Sequence, residues 1–325
     1  GAFFGLFAVQ AAATITVLSE LDKQLVSIKK STGLFNEYDE VLTEGYYKNL
    51  QFGVSAEDLT KSIETLNKEN TNFIDSSKAD IDQIVTMSAL MQRYGVTAES
   101  TAKIQASFTK GLKLTSTQAE QTQMALLGVT QALDLPSDIM NQIPQVMSQI
   151  TVFGEKMPNE LNKLLGAVKA TNIGLSELVG IAKQFDTFEG AAQSAAQLNT
   201  ILGGQALNAT ELLNASYAER IILLKSSLEQ SGKQWNSLDN STRLAIAHAA
   251  GITDMDQAQM LFNTSTVELE KNQKEAQKAA EEKRLTEEKM KEGTEDLTSV
   301  TEKLSVIFRQ LAIAAVPLLE AFRWF

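Results

Sequence analysis

Phe52-Gly53-Val54-Ser55-Ala56-Glu57-Asp58 decides the fold. Ser55 is placed to cap a helix with its hydroxyl, Asp58 to reach back to the Ser55 amide, and Val54 to staple onto Leu59. Gly53 stands where a preceding helix would stop. The pattern of an apolar residue, a capping residue and then usually an acid returns at Ile74-Asp75-Ser76, Val96-Thr97-Ala98-Glu99 and Leu114-Thr115-Ser116-Thr117-Gln118. It returns again at Leu135-Pro136-Ser137-Asp138, Met157-Pro158-Asn159-Glu160 and Leu175-Ser176-Glu177. Pro136 and Pro158 fall near a helix start, where proline is tolerated. Gly95, Gly111 and Gly174 supply further stops. Successive apolar positions lie 20, 22, 18, 21, 22 and 18 residues apart. Each unit predicts a helix of about 14–16 residues and a short connection, which forces antiparallel neighbours. Residues 32–204 therefore read as a meander of up to seven short helices. None buries its apolar stripe alone, so the array must stack on itself or on partners.

Beyond this block the spacing loosens. Gly203-Gly204 lacks the Lys-Ser/Thr of a phosphate loop and reads as a hinge. Over 205–265, Leu207-Asn208-Ala209-Thr210-Glu211 and Gly251-Ile252-Thr253-Asp254 open further helices, expected at 209–231, 239–250 and 254–263. Residues 266–293 are dense in Glu, Lys and Arg, with Glu270–Lys274 and Glu287–Lys291 in the favourable i,i+4 order. They predict a solvated helical linker that Gly293 breaks.

Both ends carry apolar residues at 3-4 spacing. In 1–31, Phe4, Phe7, Ala11, Thr14, Leu18, Leu21, Leu25 and Ile28 share one seam of a helix. In 294–325, Leu297, Val300, Leu304, Ile307, Leu311, Ala314 and Leu318 do the same. Phe4, Phe7, Leu18, Leu21, Leu25, Ile28, Leu297, Val300, Leu304, Ile307, Leu311 and Leu318 are the candidate site residues: an oligomer seam or a membrane-competent face. The uncharged stretch 1–19 is barely long enough for a bilayer, at about 1.5 Å per residue. Pro317 would kink or end the second seam. The opening at Gly1 and the close within an apolar run predict a piece of a longer chain. The fold class is all-α: a meander of short antiparallel helices with long apolar, coiled-coil helices at both ends.

Composition narrows the function. The 325 residues contain no cysteine, which excludes disulfides, thiolate metal sites and cysteine nucleophiles. A net charge of −11 lacks the electrostatic footprint of a general nucleic-acid binder. His248 is the single histidine and reads as packed or half-exposed, so no histidine pair exists for zinc and no Ser-His-acid set stands out. Acid pairs such as Glu57-Asp58 and Glu281-Glu282 fit caps or solvated faces better than glycosidase chemistry. Met140, Met147, Met255, Met260, Phe185 and Phe188 read as core. A non-enzymatic structural protein without cofactor is expected.

The block from Ser31-Thr32-Gly33-Leu34 to Gly204 resembles the helical region of phage tail tape measure proteins. The resemblance rests on Phe52-Gly53-Val54-Ser55-Ala56-Glu57-Asp58, Tyr94-Gly95-Val96-Thr97-Ala98-Glu99 and Asn172-Ile173-Gly174-Leu175-Ser176-Glu177. It covers just over half the chain, and apolar flanks are also similar to that family. It implies a virion protein in the tail tube lumen or tail tip that sets tail length and leaves ahead of the DNA. The implied partners are further copies of itself in three- or sixfold symmetry, tail tube and baseplate hub proteins, and a host membrane at infection. One continuous helix of this length would reach roughly 490 Å, whereas a folded meander is far shorter and suits a plug or end domain. Two other readings compete: an α-helical pore-forming or membrane-active protein, and a helical coiled-coil scaffold.

Overall fold

The computed structural model describes residues 2–33, 38–49, 54–69, 77–136 and 138–285, with the side chains of 2–15, 48 and 78–80 outside that description. Among the described residues there are helices and no strand. A long first helix, α1 (Ala2–Thr32), precedes α2 (Asp39–Asn49), α3 (Ala56–Glu69), α4 (Lys78–Arg93), α5 (Ala98–Ala106) and α6 (Ser116–Ala132). Then come α7 (Ile139–Ile150), α8 (Met157–Thr171), α9 (Leu175–Lys183), α10 (Phe188–Leu202) and α11 (Ala209–Asn214). The last are α12 (Tyr217–Gln230), α13 (Asn240–Ala249), α14 (Met255–Asn263) and α15 over 266–285.

The expected start signals become helix ends. Ser55 Oγ accepts from the Asp58 amide at 3.1 Å, and the Asp58 carboxylate accepts from the Ser55 amide at 3.0 Å. Val54 and Leu59 are both buried in the same core, as a staple requires. Thr97 caps α5 through the Ser100 amide, and Thr115 with Gln118 closes a reciprocal capping box on α6. Asn208, Asp239 and Asp254 cap α11, α13 and α14. The start at Ile74 lies outside the described residues, as do Gly53 and Ser137.

Four local expectations are corrected. Ser176 does not cap α9; Gly174 is the N-cap, and Ser176 lies inside the helix, donating to Gln145 Oε1 at 3.3 Å. Gly174 is therefore no helix stop either: α8 ends on Asn172, whose left-handed φ of 58° does that work. Gly203-Gly204 is not a free hinge. Gly203 closes α10 at φ 83°, and the Asn199 amide pins the loop through Leu207, donating to its carbonyl and accepting from its N–H at 2.8 Å each. The helix expected at 209–231 is broken at Ala215-Ser216, because Ser216 and Glu219 form a capping box of their own.

The short helices stack in two rows. In one row α1 packs on α3, α3 on α5, α5 on α7 and α7 on α9. In the other α2 packs on α4, α4 on α6, α6 on α8 and α8 on α12. Chain neighbours such as α3 and α4 join the rows, so from α1 to α9 each helix meets those one and two steps away within that stretch. This is the stacked array that the regular spacing demands. Two apolar cores run through it. The smaller joins residues between Leu21 and Ala102, and the larger joins residues between Met87 and Ala276. The larger core continues through position 204 without interruption.

One glycine on α9 carries a simple prediction. A Cβ at Gly180 would meet nothing within 4 Å. Gly180→Ala is expected to stabilise the protein by about 0.5–1 kcal/mol, since alanine loses less backbone freedom in a helix interior. A urea midpoint that fails to rise would contradict this.

Candidate functional site

The most charged and most buried constellation centres on α12. By helical spacing Tyr217, Arg220, Ile221, Leu224 and Leu228 share a face, so Arg220 enters the core. Its side chain is only 5% exposed. Nε donates to Leu212 O at 2.8 Å and Nη2 to Leu213 O at 3.0 Å, both in the last turn of α11. Nη1 donates to Ala182 O near the end of α9 at 2.9 Å and to Asp186 Oδ1 at 2.6 Å. The guanidinium also lies 5.1 Å from the centre of the Tyr217 ring, and the Tyr217 hydroxyl donates to Asp186 Oδ2 at 2.8 Å. Burial, and then that bond to Asp186, push the Tyr217 hydroxyl well above its ordinary range.

Neighbouring charges repeat the theme. Lys225 Nζ donates to Phe262 O in the last turn of α14 at 2.6 Å and pairs with Glu229 at 3.6 Å. Burial lowers the Lys225 ammonium, with Glu229 opposing. Glu229 accepts from the Thr266 amide and hydroxyl at 3.1 and 2.6 Å, at the first turn of α15. Lys233 donates to Ile201 O in the last turn of α10 at 2.9 Å. Glu160, buried on α8, accepts from the Ala218 amide in the first turn of α12 at 2.7 Å. Every cation here meets the carbonyl end of a helix and both of these carboxylates meet an amide end, the polarity that helix dipoles favour. Asn159-Glu160 is therefore corrected: the Glu160 carboxylate serves another helix rather than its own. These groups hold five helix ends in register around α12; their polar atoms are spent on backbone and on one another.

Burial raises the Glu160 carboxyl above its ordinary value of 4.5, and the Ala218 amide opposes that shift. An acid with a raised folded-state pKa binds more protons folded than unfolded, so its contribution to stability grows as pH falls from the folded toward the unfolded value. E160Q keeps the acceptor for Ala218 and removes the titration. The stability of wild type relative to E160Q is expected to increase as pH falls toward 4.5 in paired urea titrations. A pH-independent difference would contradict the assignment.

The candidate seam on α1 is only partly where spacing placed it. Leu21 and Ile28 are buried against the smaller core, with Leu25 half-buried beside them. They pack within the chain, on α3, and so are not an open oligomer seam. At 100° per residue the buried face centres on Leu21, Gln24 and Ile28, and Leu18 falls to its edge. Leu18 is 52% exposed and Val26 43%. The side chains of Phe4 and Phe7, and all of Leu297, Val300, Leu304, Ile307, Leu311 and Leu318, lie outside the described residues. Among the described residues no single helix is long and apolar enough to cross a membrane.

The charged segment is also revised. Over 266–280, α15 is not solvated all round: Leu269, Gln273 and Ala276 are buried and Ala279 and Ala280 pack on the larger core. Residues 281–285 belong to a second unit, where Arg284 pairs with Glu281 at 2.8 Å.

Met140, Met147 and Phe185 are core, but Phe188, Met255 and Met260 are exposed. With Leu244, Met255 lines an open surface groove of ≈ 350 Å³ between α13 and α14. Arg243 at its edge donates to Trp235 O and Asn236 O. His248 is exposed in the last turn of α13, not packed. Among the described residues no three His, Cys, Asp or Glu side chains gather as metal ligands. No family model, curated protein or solved structure matches this chain.

Proposed function

We propose that this chain is a folded, all-helical part of a phage tail tape measure protein. It acts as a virion structural protein in the tail tube near the baseplate or tip. There it takes part in setting tail length and is released ahead of the DNA. One observation carries the reading: two of the three glycine–apolar–Ser/Thr turns that resemble that family, at Ser55 and Thr97, are working helix starts. With the capping box at Thr115, they open α3, α5 and α6 of a stacked array. An architectural role fits buried charges that are committed to holding helix ends rather than to a substrate.

Electron cryo-microscopy of intact tails, with this segment carrying a small fused tag, tests the reading. Tag density on the tube axis, at the tip, in three- or sixfold symmetry is the expected result. Tag density absent from purified tails would overturn it. Leakage of dye-loaded vesicles caused by the purified chain would favour the membrane-active reading instead.

A further inference from the structure

The contact between α8 and α15 is made at backbone distance. Gly166 on α8 faces the backbone of α15: a Cβ there would stand 2.6 Å from Asn272 O and 2.7 Å from the Gln273 Cα. The two helices touch main chain to main chain. Around that point α15 buries a single large apolar side chain, Leu269, with Gln273 and Ala276. By contrast α7 buries Ile139, Met140, Ile143, Val146, Met147 and Ile150. Other ties of α15 are polar and replaceable by water, among them Gln273 Nε2 to Ala218 O at 3.4 Å, Gln277 Nε2 to Asn159 Oδ1 at 2.9 Å, and Thr266 to Glu229. Its outer face carries its own support, with Lys274 on Glu270 at 3.6 Å and Lys271 on Glu275 at 3.8 Å. These i,i+4 pairs favour the helical form of the segment away from its seat, and a contact this poor in apolar area belongs to the low-stability end of a fold.

We propose that α15 is an exchangeable clasp: residues 266–280 detach as an intact helix and seat in the α8–α12 groove of a second copy of the chain. The groove selects its occupant. Its glycine floor admits a helix only at backbone contact, and the Asn159 side-chain oxygen and the Ala218 carbonyl beside it accept from Gln277 and Gln273. The surface that satisfies all three is that of α15, which a second copy presents identically. Exchange of one identical element is a low-cost route to association, and it strengthens wherever copies are held at high local concentration. The exchange stands independently of the virion reading, since it concerns the purified chain alone.

The absence of cysteine makes the test clean. Chains carrying Asn159→Cys alone are mixed with mass-tagged chains carrying Gln277→Cys alone, incubated at high concentration and treated with a short bis-maleimide. Neither chain can link to itself internally, so each N159C–Q277C link reports an α15 seated in a partner's groove. Lys274→Cys, on the outer face of the same helix, replaces Gln277→Cys as the collision control. A heterodimer several-fold above that control, growing with incubation time, is the expected result. Yields equal to the control would overturn the proposal. Hydrogen exchange supplies the second reading: faster exchange over 266–280 than over α8 supports detachment, and equal protection of the two contradicts it.

Discussion

Arg220→Ala is expected to cost about 3–5 kcal/mol of folding stability, the range seen when one partner of a buried ion pair is removed. The size follows from what the side chain leaves behind. Leu212 O, Leu213 O and Ala182 O lose their donors at the ends of α11 and α9, and Asp186 loses its cation. Buried carbonyls without donors carry the full desolvation penalty. Arg220→Lys retains the charge but not the fork, so it reaches fewer of the carbonyls and falls between the two. Asp186→Asn should cost less than Arg220→Ala, because Asp186 is 39% exposed and water replaces part of what it loses. Urea unfolding of the four proteins measures the order. A loss below about 1 kcal/mol for Arg220→Ala would mean that water enters the site and satisfies the carbonyls.

Gly166→Val is expected to lift α15 from its seat and to cost about 1–3 kcal/mol, the usual range for overpacking. The clash is with main-chain atoms, Asn272 O and the Gln273 N and Cα, which no rotamer change relieves. Amide exchange should rise over 266–280 while α3 to α7 keep their protection. Gly180→Ala on α9 is the matched contrast, since its added methyl group meets empty space. If Gly166→Val leaves exchange over α15 unchanged, the backbone contact between α8 and α15 is not what holds that helix.

Local signals and long-range ones were legible to different degrees. Ser55–Asp58 and Thr115–Gln118 were readable because a cap is a short-range device: both partners sit within one turn. The all-α class and the stacking followed from the spacing of such caps. Ser176 and Glu160 misled because a serine or acid beside a helix start has other partners available in the fold, Gln145 and Ala218. The role of Arg220 was half-visible: its place on the apolar face of Tyr217, Ile221 and Leu224 marks burial, but the carbonyls it meets come from 8 and 38 residues away in the chain. The seam of α1 was displaced because its second half answers to α3, and heptad counting knows nothing of that neighbour. The segment 266–280 looked solvated since its exposed positions are densely charged, and the side that docks carries one large apolar residue, Leu269, with Gln273 and Ala276.

The two-row stack has a thermodynamic consequence. Each helix in the rows leans on neighbours one and two steps along, so cooperativity decays along the array instead of binding it into one all-or-none transition. The two cores overlap in sequence over residues 87–102, at α4 and the start of α5, which makes that junction the natural break point. Heat or denaturant should then open the array at that junction, the smaller core apart from the larger, with different probes reporting different midpoints. A single melting temperature would not describe such a molecule. Drawn lengthwise through a narrow passage, it would yield in parts, the smaller core apart from the larger, and the work per step would stay below that of opening the whole fold at once.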